Sequence, residues 1–276
     1  MRRITLKKLG FIGTGNIGSA IIGGVVKAGL VPPGDITASD INVSLLADLA
    51  KTHGVHTTLS NKETAEQSDV LFLCTKPNTL GAVINEISGY VQENCIVVSV
   101  AAGIGVSWIK SKFGERQSIK IVRAMPNIPA IVNCGMTALS APNDLTSDET
   151  EWLLSILGSF GNAELLPEHL FDAFTAIAAS SPAYAFMFIE ALADAGVKHG
   201  LSRLQALRFS GQAILGAAKL LLESGQHPAL LKDAVCTPGG TTIEAVCELE
   251  KQGFKNTVIS GVNVCVLKSI EMGNPL

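Results

Sequence analysis

The segment Gly13-Thr14-Gly15-Asn16-Ile17-Gly18 constrains this chain more than any other. It follows an apolar run at residues 8–12 and opens a stretch of helical character, residues 17–28, that ends near Gly29. A G-x-G-x-x-G pattern is weak by itself in a chain with 27 glycines. A strand before it and a helix after it are the context that gives it meaning. The first glycine can make a tight turn, the second lets the backbone approach a pyrophosphate, and the third lets helix and strand pack closely. The helix N-terminus adds free N–H groups and the positive end of a dipole. The motif predicts a dinucleotide-binding turn made of Gly13, Thr14, Gly15, Asn16, Ile17 and Gly18.

The rest of the first half repeats the alternation. Residues 36–39, 70–74, 95–99 and 119–123 read as strands, and residues 42–53 and 79–88 as helices, with Asn42 as an N-cap. The strands are continuously apolar, the pattern of strands covered on both faces of a parallel sheet. Residues 136–140 and 163–166 read as added edge strands. After about Glu168 no strand signal returns. Helices are expected at residues 182–199, with Ser181 as N-cap and Gly200 as stop, and at 202–223, 240–251 and 256–271. The fold class is α/β: an N-terminal Rossmann-type doubly wound sheet in residues 1–167, followed by an all-α C-terminal domain in residues 168–276.

Composition bears on the second half. Charged residues are 16% of the chain, against roughly 25% in an ordinary globular protein. In the first C-terminal helix Ala183, Ala185, Phe186, Phe188, Ile189, Ala191 and Leu192 leave only a narrow polar stripe. A helix apolar all round must be covered, and a region of this size cannot cover several such helices alone. A tight homodimer with interleaved helices is expected. A membrane is not: no run of ~20 uninterrupted apolar residues occurs. The basic start with Arg2, Arg3, Lys7 and Lys8 resembles a leader, but six glycines between Gly10 and Val26 break any clean apolar block. With 21 basic against 24 acidic residues, no broad basic face for nucleic acid is expected. Six cysteines without a C-x-x-C pair read as buried small hydrophobes in a reducing, cytoplasmic compartment. Five scattered histidines give no metal-ligand spacing.

The second strand ends at Ser39-Asp40. An acid there usually hydrogen-bonds the adenosine ribose of NAD and repels a 2′-phosphate, whereas Ser39 and Asn42 could donate to that phosphate. Entry to the following helix is the alternative role for Asp40. On these residues alone NAD is slightly favoured.

Further motifs lie along the chain: Thr75-Lys76-Pro77, Val100-Ala101-Ala102-Gly103, Arg123-Ala124-Met125-Pro126-Asn127-Ile128-Pro129, Ser181-Pro182-Ala183-Tyr184-Ala185-Phe186, Leu231-Lys232-Asp233 and Thr237-Pro238-Gly239-Gly240-Thr241-Thr242. Together, over residues 8–270, the sequence resembles the pyrroline-5-carboxylate reductases. The resemblance implies a Rossmann domain followed by a helical dimerisation domain, with dimers that can assemble into rings. It implies hydride transfer from a nicotinamide to the imine carbon of 1-pyrroline-5-carboxylate, the last step of proline biosynthesis. It puts NADP (NADPH) first as cofactor, with NAD (NADH) as the alternative. Thr75, Lys76 and Pro77 would lie along the cofactor ribose, Ala101, Ala102 and Gly103 near the nicotinamide, and Asn61 on the adenosine side.

The Pro-Gly-Gly-Thr-Thr segment opens a helix, whose unpaired N–H groups suit a small carboxylate. The resemblance assigns that carboxylate to the amides of Gly239, Gly240 and Thr241, with Thr237 flanking and the catalytic Thr242 hydroxyl at the imine nitrogen. No carboxylate or histidine is required as general acid, because a protonated imine is already electrophilic. One departure stands out: Ala179 and Ser181 occupy positions where the family carries glycine, and either would be strained at positive φ. A reductase of another cyclic imine, or a non-catalytic dinucleotide-binding regulator, are the alternatives.

Overall fold

The structure is a computed structural model that describes residues 7–114, 119–141 and 145–273. Arg2 and Arg3 of the basic start lie outside the described residues. The chain divides into two compact units, residues 1–179 with 266–276, and residues 180–265.

The first unit is built on β1 (Leu9–Ile12), α1 (Asn16–Lys27), β2 (Ile36–Ser39), α2 (Val43–His53), β3 (His56–Thr58), α3 (Asn61–Glu66), β4 (Val70–Leu73) and α4 (Pro77–Ile87). It continues with β5 (Ile96–Ser99), α5 (Val106–Phe113), β6 (Lys120–Met125), β7 (Gly135–Ser140), α6 (Ser147–Gly158), β8 (Gly161–Leu165) and the short α7 (Phe171–Phe174). The strands form one sheet in the order β3-β2-β1-β4-β5-β6-β7-β8. β7 is antiparallel to β6 and parallel to β8, and the other pairs are parallel. The order reverses between β1 and β4, and the crevice at the carboxyl ends of those strands is where such sheets bind ligands.

Burial explains why the strands read as unbroken apolar runs. One face carries Phe11, Phe72, Val98 and Val122 against Ile21 and Ile22 of α1 and Leu153 of α6. The other carries Ile12, Leu71, Leu73 and Val97 against Ile84 of α4 and Ile109 of α5. Phe11 and Phe72 are register partners and their rings stack at 4.8 Å. Each such side chain contributes roughly 1.5–3 kcal/mol by leaving water. The expected strands and early helices are present to within a residue or two. Residues 136–140 are not an edge, however: β8 pairs beyond them, so only β8 closes that side.

The second unit holds α8 (Ser181–Lys198), α9 (Arg203–Ser224), α10 (Pro228–Val235), α11 (Thr241–Lys251) and α12 (Phe254–Gly273), whose last turns belong to the first unit. Ser202 caps α9 in a reciprocal box with Gln205, and Gly225 ends it in the left-handed conformation. Ser181 is not the N-cap of α8. Ser180 already has helical dihedrals (φ −93°, ψ −28°) and makes no side-chain cap, and residues Thr175–Ala179 form a π-helical turn. Among the described residues Asn94 and Asn133 are the non-glycine positions with positive φ. Ala179 and Ser181 therefore replace glycine without backbone strain.

These helices bury little of themselves. α8 buries Ala193, α9 buries Ala206 and Ser210, and neither α10 nor α11 buries a residue. Phe186, Phe209 and Leu222 are 64%, 59% and 77% exposed. The run Glu168–Lys198 is long and apolar enough to cross a membrane by length and composition. The cysteines are all free. Cys95 is buried, and desolvation pushes its thiol up to about 12. Cys134 and Cys247 are exposed, so the expectation of uniform burial fails for them; neither lies on a sheet strand with apolar cover on both faces.

Candidate active site

The loops after β1, β2, β4 and β5 meet at the switch point and are joined through their backbones. Gly13 N donates to Ser39 O (2.8 Å), Cys74 N to Ile12 O (2.8 Å), and Val100 N to Leu73 O (3.2 Å). Gly13 has φ +96°, and a Cβ there would lie 2.8 Å from the Cys74 carbonyl oxygen, so both conformation and space demand glycine. A Cβ on Gly18 would collide with the carbonyl oxygen of Gly13. Gly15 differs. Its φ of −64° suits any residue, and a Cβ there would meet nothing within 4 Å. The space in front of Gly15 is open, at the N-terminus of a helix with neither a side-chain cap nor an acid in its first turn. An anionic ligand such as a pyrophosphate fits that opening.

Asp40 faces the same turn. Its Oδ2 accepts from Thr14 N (2.6 Å) and Thr14 Oγ1 (3.1 Å), and its Oδ1 from Asn42 N (2.9 Å). Both carboxylate oxygens therefore hold the glycine turn and the start of α2. Thr14 is fully buried by this arrangement. Ser39 is also fully buried, and its hydroxyl donates to Asn61 Oδ1 (2.8 Å). Asn61 Nδ2 in turn donates to Glu86 (2.9 Å). The three expected adenosine-side residues are thus tied to the protein itself around the carboxyl end of β2.

At the β4 end, the Thr75 hydroxyl is buried without a hydrogen-bond partner, a vacancy in the local bonding that a ligand hydroxyl or phosphate can fill. Lys76 is the exposed N-cap of α4, and Pro77 is its first residue. Ala101 and Gly103 are buried and Ala102 is half-buried. The open space at Gly15 and the orphaned Thr75 hydroxyl fit a dinucleotide. The neighbouring Cys74 thiol is pushed by burial up to about 12.

Two residues that carried no role from the sequence support this region. Asn127 bridges Met136 N (2.8 Å) and the Ala178 carbonyl (2.9 Å). Arg123, 6% exposed, lies over the Phe171 ring at 4.6 Å and reaches Glu168 at 3.5 Å. Burial lowers the Arg123 pKa from its ordinary value, while Glu168 raises it. Arg123 and Asn127 stand in a motif visible in the sequence; Glu168 had no signal.

The second unit presents a different feature. Thr237 O accepts from Gly240 N at 3.0 Å, closing a turn with Pro238 and Gly239 at its centre. Gly239 has φ +66°, as the third position of a Pro-Gly turn requires. A Cβ on Gly240 would collide with the Thr237 hydroxyl. α11 then starts at Thr241 with Gly240 as its N-cap and no side-chain cap, which leaves its first amides unpaired. Thr241 is exposed and Thr242 half-buried. These amides can take a carboxylate and Thr242 can offer a hydroxyl beside it.

The chain is 43% identical over 263 residues to the pyrroline-5-carboxylate reductase of Escherichia coli, covering 95% of this chain and 97% of that protein. The chain belongs to the pyrroline-5-carboxylate reductase family. Residues 168–272 match the family model described as pyrroline-5-carboxylate reductase dimerisation, and residues 8–103 the model described as NADP oxidoreductase coenzyme F420-dependent. A solved pyrroline-5-carboxylate reductase from Coxiella burnetii superposes with a TM-score of 0.92 at 31% identity, covering 98% of this chain and all of that one. A Plasmodium falciparum pyrroline carboxylate reductase, solved with NADP bound, gives 0.86 at 32% identity over 97% and 98% of the two chains. The helical half is thus a dimerisation domain, and the sheet half is of the NADP-binding kind.

Proposed function

We propose that this chain reduces 1-pyrroline-5-carboxylate to L-proline with NADPH, the last step of proline biosynthesis. The observation that carries this reading is collinearity with a reductase of that name over 95% of the chain. That span includes both the open Gly15 turn and the uncapped start of α11. When bound, NADPH supplies the hydride. In this reading the amides of Gly13, Thr14, Gly15, Asn16, Ile17 and Gly18 hold the pyrophosphate. Ser39, Asp40 and Asn61 shape the adenosine end, and Thr75, Lys76 and Pro77 line the ribose. Ala101, Ala102 and Gly103 flank the nicotinamide and keep water away from it.

The amides of Gly239, Gly240 and Thr241 take the substrate carboxylate, with Thr237 beside them. The Thr242 hydroxyl accepts from the N–H of the protonated imine and orients its carbon. Orientation is the main requirement of a hydride transfer to an electrophile that is already charged. The division of labour follows residues 1–167 for cofactor and 168–276 for subunit pairing and substrate. The exposed apolar side chains of α8, α9 and α10 support a homodimer that can build into a ring of dimers. The apolar Glu168–Lys198 run serves that interface and no membrane, and no nucleic acid is a partner; the enzyme works in the cytoplasm. The test is loss of reduced-nicotinamide absorbance on adding 1-pyrroline-5-carboxylate, with NADPH and NADH side by side. Turnover with NADPH is expected; no turnover with either cofactor refutes the proposal.

A further inference from the structure

We infer that Arg123 and Glu168 form a positioning clamp that fixes the loop of residues 100–105 behind the nicotinamide site. The inference rests on the functional reading above, since that reading places the nicotinamide beside Ala101, Ala102 and Gly103.

Arg123 lies on β6 opposite Ser99, the last residue of β5 before the loop. Its side chain is 8% exposed, its guanidinium lies on Phe171, and its Nε has no partner. A charge is costly to keep at such a place, and an apolar side chain would pack on Phe171 at least as well. What the charge holds is Glu168. The carboxylate Oε1 of Glu168 accepts from Arg123 Nη1 (3.5 Å) and from Val106 N (2.8 Å).

Val106 is the first residue of α5, and its N-cap is Gly105, which has no side chain to cap with. Glu168, 62 positions away in sequence, supplies the missing cap. It also places a negative charge at the positive end of α5. The start of the loop is fixed otherwise, by Val100 N on Leu73 O (3.2 Å) and Ala101 N on Ser99 Oγ (3.4 Å). Its middle packs at Gly103 against Met272. Asp172, the second acid facing Arg123, is held by Ser269 Oγ at 2.6 Å. Only the α5 end of the loop depends on the ion pair.

A clamp of this kind acts on one end of the cofactor site. The experiment compares two probes on the purified protein: NADPH, by its fluorescence on binding, and adenosine 2′,5′-bisphosphate, which lacks the nicotinamide half, by calorimetry. Glu168→Ala is expected to weaken NADPH about tenfold and to leave the bisphosphate unchanged. Glu168→Gln keeps an acceptor for the Val106 amide and should fall between wild type and Glu168→Ala. It also serves where Glu168→Ala folds poorly. Arg123→Met should follow Glu168→Ala in direction. With turnover, the primary isotope effect from deuterium at the transferred position should rise in the variants, because a mispositioned ring slows the hydride step. Equal weakening of both probes, or of neither, overturns the clamp. Absence of turnover in the wild type would refute the functional reading while leaving both binding comparisons readable.

Discussion

Asp40 offers the sharpest test of how the cofactor site is built. An acid at the end of the second strand ordinarily predicts NAD, yet here both its oxygens bond to the protein, at Thr14 N, Thr14 Oγ1 and Asn42 N. If its work is to hold the glycine turn, Asp40→Ala should weaken NADPH and NADH alike. Hydrogen bonds to a charged group contribute about 1.5–3 kcal/mol each. Asp40 is half-buried, so water replaces part of what is lost. The ordering of the turn then costs about 2 kcal/mol at binding, or about 30-fold in affinity. A residual repulsion of the 2′-phosphate remains to be removed. At a separation of one Debye length, about 8 Å, with water between the charges, it is about 0.5 kcal/mol per unit charge, so the ratio of the two affinities should move by about fivefold. Fluorescence titration of both reduced dinucleotides against wild type and Asp40→Ala measures both quantities. A gain in NADPH affinity with a loss for NADH, shifting the ratio by far more than that, would show that Asp40 reads the ribose and would refute the structural role.

Gly15→Ala should leave thermal stability within about 0.5 kcal/mol, because its Cβ meets nothing. It should nonetheless weaken dinucleotide binding at least about tenfold by occupying the approach of the pyrophosphate; unchanged affinity in a titration would place the cofactor elsewhere. Gly18→Ala, whose Cβ strikes Gly13 O, should instead cost about 1–3 kcal/mol of stability in denaturant melts. Thr242→Ala should lower kcat on the order of ten- to hundredfold with NADPH affinity unchanged, and wild-type kinetics would remove the hydroxyl from the mechanism.

Glu149 gives a pH prediction. Burial raises its pKa, but Lys120 (2.8 Å), the Thr146 amide and Lys7 outweigh it and hold the carboxyl at about 2. The folded value lies below the unfolded one, so the stabilisation is present above the unfolded pKa and is lost as pH falls towards 2. It should amount to about 1–2 kcal/mol after screening. The Tm gap between wild type and Glu149→Gln should therefore close as pH falls from about 5 to about 2; a constant gap would sink the assignment.

What was legible in the sequence follows from which signal each element carries. β1, β2, β4, β5 and β6 announce themselves because strands covered on both faces must be apolar at every position. β3 reads His56-Thr57-Thr58 and leaves His56 exposed, so it carries no apolar run to see. α6 carries local signals that the expected helices do not include: the Thr146–Glu149 capping box and an apolar set of Trp152, Leu153, Leu154, Ile156 and Leu157. Site residues divide in the same way. Glycines 13, 15 and 18 were legible because backbone space is written into residue type. The occupations of Ser39, Asp40 and Asn61 were not, because the direction of a short polar side chain depends on neighbours up to 26 positions away. Glu168 lies further still from Val106 and has nothing local to mark it.

The same reasoning explains why the low charge content points to a partner subunit. A sheet covered on both faces accounts for the apolar residues of the first unit, which are buried within it. It cannot account for the second unit. There Phe186, Met187, Leu204, Phe209 and Leu222 are each more than half exposed, on helices that are otherwise well formed, α9 with a capped start and a left-handed stop. Exposed apolar surface on this scale marks an interaction face. Local helix signals are satisfied while the burial signal is not, so the sequence encodes helices whose core is completed by another chain. In the proposed homodimer, association would be part of folding, and the stability of this half should depend on protein concentration.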